Sequence, residues 1–181
     1  ADGARWCAID FGTSNSAVAL AVGDPNDALH TKIELAPLEE GASSMPTAVF
    51  YAVEGLAAHE APRRLYGRAA LAAYREGTEG RLMRSMKSIL GSSLVDQRTD
   101  LGAGHAVSYR DVLAGYLRQL KQQAEAHVGA PIAQAVLGRP VFFVDDDAQR
   151  DAHAQAVLLQ AARDAGFVDI RLQYAPIAAA L

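Results

Sequence analysis

The chain has 181 residues, 50% of them hydrophobic and 21% charged, which excludes an intrinsically disordered segment and allows one domain or two small lobes with a real core. Lys plus Arg number 17 against 21 Asp plus Glu, a net charge of −4, so nucleic acid is not expected as a partner. The chain contains neither an apolar run of membrane-spanning length nor a basic-then-apolar leader, and its single cysteine, Cys7, can close no intrachain disulfide. No membrane association is therefore expected, and the expected compartment is a reducing cytoplasm.

The first third reads as strands. Arg5 to Asp10 is a short β run, and a turn over Gly12-Thr13-Ser14-Asn15 leads into Ser16 to Val22. That second run alternates large Val18, Leu20 and Val22 with small Ala17, Ala19 and Ala21, as a strand with one packed face does. Strands are also expected over His30 to Leu35 and, after the Pro46 break, over Thr47 to Val53. Gly67 to Glu76 is Ala-rich and reads as a helix closed by Gly77. Ser108-Tyr109-Arg110-Asp111 has the form of a helix start, after which Val112, Leu113, Tyr116, Leu117, Leu120 and Ala124 recur at helical spacing to His127. Ile132 to Leu137 is the next strand. Asp147 to Ala165 is a second clear helix, with Ala152, Ala156, Leu159 and Ala162 as its expected inner face and Gly166 as its stop. Phe167 to Gln173 follows as a strand, and Pro176 opens a further helix. Hairpins followed by β-α-β-α alternation indicate a mixed α/β fold.

The segment richest in chemistry is Ile9-Asp10-Phe11-Gly12-Thr13-Ser14-Asn15-Ser16. It is a strand ending in a carboxylate and followed by a tight Gly-hydroxyl-hydroxyl turn. Successive turn N–H groups can form an anion-binding concavity, and Gly12 lets a phosphate come close to the backbone. Asp10 can hold Mg²⁺, which takes one or two carboxylates and otherwise water and phosphate oxygens. An ordinary hairpin turn, with Asp10 bonding the loop, fits the same residues. Dinucleotide and Walker loops run from strand into helix, whereas here a strand follows, so any phosphate would sit in a β-hairpin. Asp145-Asp146-Asp147 suits a helix cap rather than a metal. His30, His59, His105, His127 and His153 show no metal-ligand spacing. Arg63, Arg64 and Arg68 read as a solvated basic helix face, and Ser43-Ser44 as loop.

Ile9 to Ser16 resembles the first phosphate motif of the 70-kDa heat-shock chaperone family, within the actin/hexokinase-like ATPase superfamily. Met86-Lys87-Ser88-Ile89-Leu90-Gly91 is similar to that family's lysine-bearing segment. The stretch from Ala135 through Gly138-Arg139-Pro140-Val141, Asp164-Ala165-Gly166-Phe167 and Pro176-Ile177-Ala178-Ala179-Ala180 is similar to the block closing the first lobe, in the wording of a divergent bacterial branch. The resemblance implies a ribonuclease-H-like (actin-like ATPase) lobe. Residues 1–37 plus 107–181 would form its core subdomain and residues 38–106 an inserted smaller α/β subdomain. It implies Mg²⁺ and ATP or ADP as cofactors of an intact parent, and unfolded client proteins or cochaperones as partners. Gly12, Thr13, Ser14 and Asn15 would hold the phosphates, Asp10 would organise the magnesium shell, and Lys87 would reach the γ-phosphate and the attacking water. Without the resemblance, Lys87 reads as a solvated residue beside Arg81 and Arg84. Two positions depart from the pattern: Ala175 replaces the usual acid before the proline, which implies slow hydrolysis, and Asn15 replaces a frequent tyrosine. A small-molecule kinase of the same superfamily and a non-hydrolysing, nucleotide-gated interaction module stand as alternatives.

Overall fold

The computed structural model describes residues 5–23, 26–27, 29–139 and 143–174. Its main sheet is built on β1 (Trp6–Phe11). This strand pairs antiparallel with β2 (Asn15–Val22) and parallel with β10 (Gln134–Arg139), which pairs parallel with β11 (Asp169–Tyr174). The far edge of β2 is shared by β3 (Lys32–Leu35) and β4 (Ser44–Pro46). The alternation seen in the sequence sets the faces: Val18 and Leu20 are buried, while Ala17 and Ala19 are only partly covered and Ala21 is exposed. On β1 the buried residues are Cys7, Ile9 and Phe11, leaving Ala8 and Asp10 on the opposite, open face. Burial pushes the Cys7 thiol up to about 12, because the thiolate would lose its hydration there.

A second, antiparallel sheet runs in the order β6 (Arg63–Tyr66), β5 (Ala48–Ala52), β7 (Gly80–Arg84). All five residues of β5 are buried, and they alternate between two cores, as a strand of period 2 must. Val49 and Tyr51 join the main cluster, whereas Ala48, Phe50 and Ala52 meet Ala70 and Ala73 of α1 (Gly67–Arg75). The Glu39 carboxylate accepts from the Arg68 N–H at 2.7 Å, supplying the helix start with the cap that its own residues lack. Arg63 and Arg64 therefore lie on an edge strand, not on a helix face, and Arg68 is paired with Glu39 at 3.1 Å. Their Arg-Arg-Leu-Tyr sequence has no strand alternation; pairing with buried β5 imposes the extended form.

Between the sheets runs α3 (Tyr109–Val128), with the Ser108 hydroxyl accepting from the Asp111 N–H at 3.1 Å and Gly129 closing it at φ 69°. It touches β2, β5, α4 and the hairpin of β8 (Arg98–Gly102) and β9 (His105–Ser108). The hairpin, β6 and β7 lie where no periodicity marks an element in the sequence. Helix α4 (Ala148–Asp164) is capped by Asp147, as expected of that acidic run. Its inner face is Ala154, Val157, Leu158, Ala161 and Ala162, so the expected face is wrong except for Ala162. Alanine occurs all round this helix and cannot set the phase; the bulkier Val157 and Leu158 do. The expected helix from Pro176 lies outside the described residues.

At the end of β10, Arg139 is 6% exposed and bonds both carboxylate oxygens of Asp151, at 3.1 and 3.2 Å. It also bonds Gln155, and its guanidinium lies over the Phe143 ring at 4.6 Å. Asp151 accepts from the Phe143 N–H at 2.6 Å, and this bond, followed by Arg139, holds its carboxyl below the ordinary range. A depressed carboxylate stabilises the fold above its unfolded pKa, and that contribution is lost as pH falls through the folded value. Two outcomes follow. Leu117, wholly buried on α3, costs about 2–5 kcal/mol when replaced by alanine, read from denaturant midpoints. Asp151→Asn lowers the midpoint at pH 7 and flattens the fall in stability below about pH 4, read from urea melts across pH.

Candidate functional site

β1 and β10 run parallel, with Ile9 opposite Leu137, so their carboxyl ends finish together. Ligands in open α/β sheets bind beyond such ends. Here that place holds the β1–β2 turn, with Arg139 at the end of β10. Asp10 stands on the open face of β1, one residue before its end. Gly12 N–H donates to the Asn15 carbonyl at 3.1 Å, and a Cβ on Gly12 would sit 2.3 Å from that oxygen. Only glycine closes the turn this tightly. Thr13, Ser14 and Asn15 are exposed.

The turn's carbonyls point inward. The Ser14 carbonyl accepts from the Thr47 N–H at 3.0 Å, and the Gly12 carbonyl accepts from the Thr47 hydroxyl at 2.8 Å. A trans peptide directs its N–H opposite to its C=O, so the Thr13 and Asn15 N–H groups face away from Thr47. Among the described residues, nothing accepts from the Thr13 or Ser14 N–H. This is the donor set an anion needs.

Thr47 also meets the Ser16 hydroxyl at 2.8 Å, and the Tyr116 hydroxyl donates to the Pro46 carbonyl at 3.1 Å. All three side chains are buried. Burial pushes the Tyr116 phenol up to about 12, with the hydrogen bonds of Ser16 and Thr47 acting the other way. Thr47 and Tyr116 do not stand out in the sequence as site residues, and Ser16 ends the motif Ile9 to Ser16 with no role assigned to it there. Ser16 alone carried a signal, being a hydroxyl on the packed face of Val18 and Leu20.

Lys87 lies in the short helix that follows the second sheet. After β7, Ser85 takes a left-handed φ of 54° and opens α2 (Met86–Leu90). Met86, Ile89 and Leu90 are buried, at the i, i+3, i+4 spacing that fixes a helix face. Lys87, between them, is half-buried. Burial lowers its ammonium from the ordinary lysine value, and the Asp10 carboxylate works against that. Asp10 and Lys87, far apart in sequence, are thus brought into one electrostatic field. Gly91 ends α2 against the loop after β10: a Cβ there would lie 2.5 Å from the Phe143 carbonyl, and Arg150 bonds the Gly91 carbonyl at 3.0 Å. Asp96, in the following 3-10 turn (Ser93–Asp96), accepts from Arg110 of α3 at 2.5 Å and from His153 of α4 at 2.8 Å. The Arg110 bond, then that of His153, keeps its carboxyl below the usual range.

The donor set fits a phosphate-bound magnesium. Among the described residues, no group of three His, Cys, Asp or Glu side chains could hold a metal. A cation at Asp10 would therefore take its other ligands from phosphate and water, the habit of Mg²⁺. Ala175 lies outside the described residues.

Comparison with known proteins places these residues in a family context. The sequence profile described as Hsp70 protein matches residues 7–181. The chain is 30% identical over 175 residues to "Chaperone protein DnaK" of Thermosipho melanesiensis, covering 96% of this chain and 25% of that protein. It is 29% identical over 175 residues to the protein of that name from Thermosipho africanus, with the same 96% and 25% coverage. To that from Cenarchaeum symbiosum it is 29% identical over 182 residues, covering 98% of this chain and 24% of the relative. The chain thus spans about a quarter of the length of the curated relatives it matches.

Proposed function

The chain belongs to the Hsp70 family, and on that premise we propose that it is the first lobe of a chaperone ATPase. In this reading the turn Gly12 to Asn15 holds the phosphates of Mg-ATP or Mg-ADP, and nucleotide state is coupled to a client- or cochaperone-binding region in the cytoplasm. Residues 1–37 with 107–181 act as the core subdomain, and residues 38–106 as the insert that delivers Lys87. The observation that supports the proposal is the glycine-closed turn beyond the end of β1, whose Gly12 and Ser14 carbonyls are bonded inward to Thr47, with Asp10 on the open face of the same strand.

Each residue then has a task set by its chemistry. The Thr13 N–H and the Thr13 and Ser14 hydroxyls bind and orient phosphate oxygens. Asp10 holds the hydrated cation on the open face. A bound magnesium supplies charge neutralisation to the phosphates. Lys87 places a positive charge where negative charge grows in phosphoryl transfer, an effect that is strongest where water is scarce. Its half-buried setting raises the value of that charge and also makes it costly to hold. Ala175 offers no carboxylate for ordering water, which favours slow hydrolysis; a non-hydrolysing, nucleotide-gated module is the reading to weigh against turnover.

ATP binding and single-turnover hydrolysis, measured separately on the full-length protein, test this. ATP affinity with slow hydrolysis is expected, and absence of ATP affinity overturns the reading. Lys87→Met lowers the hydrolysis rate on the order of 10²-fold while affinity changes less. The same substitution raises Tm at pH 7. A lysine whose pKa is lowered by folding burdens the fold below its unfolded pKa of 10.5 and less as pH rises through the folded value. Calorimetry checks this sign.

A further inference from the structure

We infer that Thr47 is the positioning residue of the phosphate turn, acting through two bonds to that turn's carbonyls and touching no nucleotide itself. The inference rests on the phosphate reading of Gly12 to Asn15 and adds to it a residue outside the motif. Thr47 uses both its donors on the turn: its N–H on the Ser14 carbonyl at 3.0 Å and its hydroxyl on the Gly12 carbonyl at 2.8 Å. The carbonyls held this way belong to the two peptides whose N–H groups, on Thr13 and Asn15, point away from Thr47, and the Thr13 N–H is left without an acceptor among the described residues. A turn free to rotate about either peptide would present carbonyl oxygen to a phosphate and repel it.

The threonine is itself held from behind. It has one hydroxyl hydrogen, which goes to Gly12, so Ser16 must donate to its oxygen at 2.8 Å. The preceding carbonyl, that of Pro46, accepts from Tyr116 on α3. Thr47 is 2% exposed, Ser16 1% and Tyr116 0%, so water cannot substitute for a lost partner and each bond has a single geometry. The chain runs from a rigid helix through Pro46 and Thr47 to the Gly12 carbonyl.

Thr47→Val keeps shape and the backbone N–H but removes the hydroxyl, and Thr47→Ser restores the hydroxyl. In this chain, amide exchange reads the turn directly. The Val variant is expected to lose at least about tenfold protection at the Gly12 and residue-47 amides, with the Leu117 amide of α3 unchanged and the Ser variant like wild type. In the full-length protein, the Val variant is expected to bind ATP about tenfold more weakly, the scale of one lost neutral hydrogen bond that holds the turn, while adenosine, which has no phosphate, binds as in wild type. Unchanged protection at Gly12 in the Val variant overturns the inference, as does a Ser variant that behaves like Val. Equal weakening of ATP and adenosine also overturns it, since that marks a general loss of structure. A wild-type protein that binds no ATP defeats the phosphate reading alone; the exchange measurement still decides whether Thr47 holds the turn.

Discussion

Six successive residues of α3, Val112 to Leu117, are buried, which a helix lying on one sheet cannot achieve, because a single contact face takes only every third or fourth position. The helix must be enclosed, and the remaining elements are arranged by that requirement. The main sheet covers one side through β2, the second sheet another through β5, and α4 and the β8–β9 hairpin close the rest. Gly115 marks how tight the enclosure is, since a Cβ there would meet the Arg64 guanidinium at 3.3 Å. Tyr116 lies against both Phe11 of β1 and Tyr66 of β6, with ring centroids 5.9 and 6.5 Å apart, so one side chain links the two sheets.

The site inherits its geometry from this core. Asp10 stands on the first sheet, and Lys87 comes from the short helix that follows the second. The field that the Asp10 carboxylate exerts on Lys87 depends on the two sheets keeping a fixed relation across α3. The fastenings nearest the surface are ionic: Arg139 with Asp151, and Asp96 with Arg110 and His153. The exposed pairs, Asp96 with Arg110 and with His153, contribute little stability each, whereas Arg139 is buried against Asp151. Their effect is to set where the loop after β10 and the segment after α2 lie, so that Gly91 can close against Phe143.

How much of this was legible in the sequence depended on whether a residue's signal was local. The β1–β2 hairpin was visible because the Val18/Leu20 against Ala17/Ala19 contrast is carried by the strand itself, and α3 because its apolar spacing spans several turns. The hydroxyl turn and Lys87 were legible as candidates because each sits in a short local motif; the turn joins β1 to β2, and Lys87 lies in the short helix after β7. Strand β6 and the β8–β9 hairpin were missed because pairing with other strands, not their own sequence, makes them extended. The phase of α4 was misread because alanine covers every side of it. Thr47 and Tyr116 could not be found at all: a threonine after proline and a tyrosine in an apolar stripe acquire meaning only when distant segments meet.

The burial of Cys7 has a consequence for how the chain can be watched. Its thiol is 2% exposed and held protonated by its surroundings, while alkylating reagents attack only an accessible thiolate. Native molecules are thus chemically silent, and modification must pass through a state in which β1 has parted from its neighbours. Asp10 lies on that same strand, three residues away. The alkylation rate of this one sulfur therefore acts as a clock for the opening of the strand that carries the site, with no label or added probe residue required.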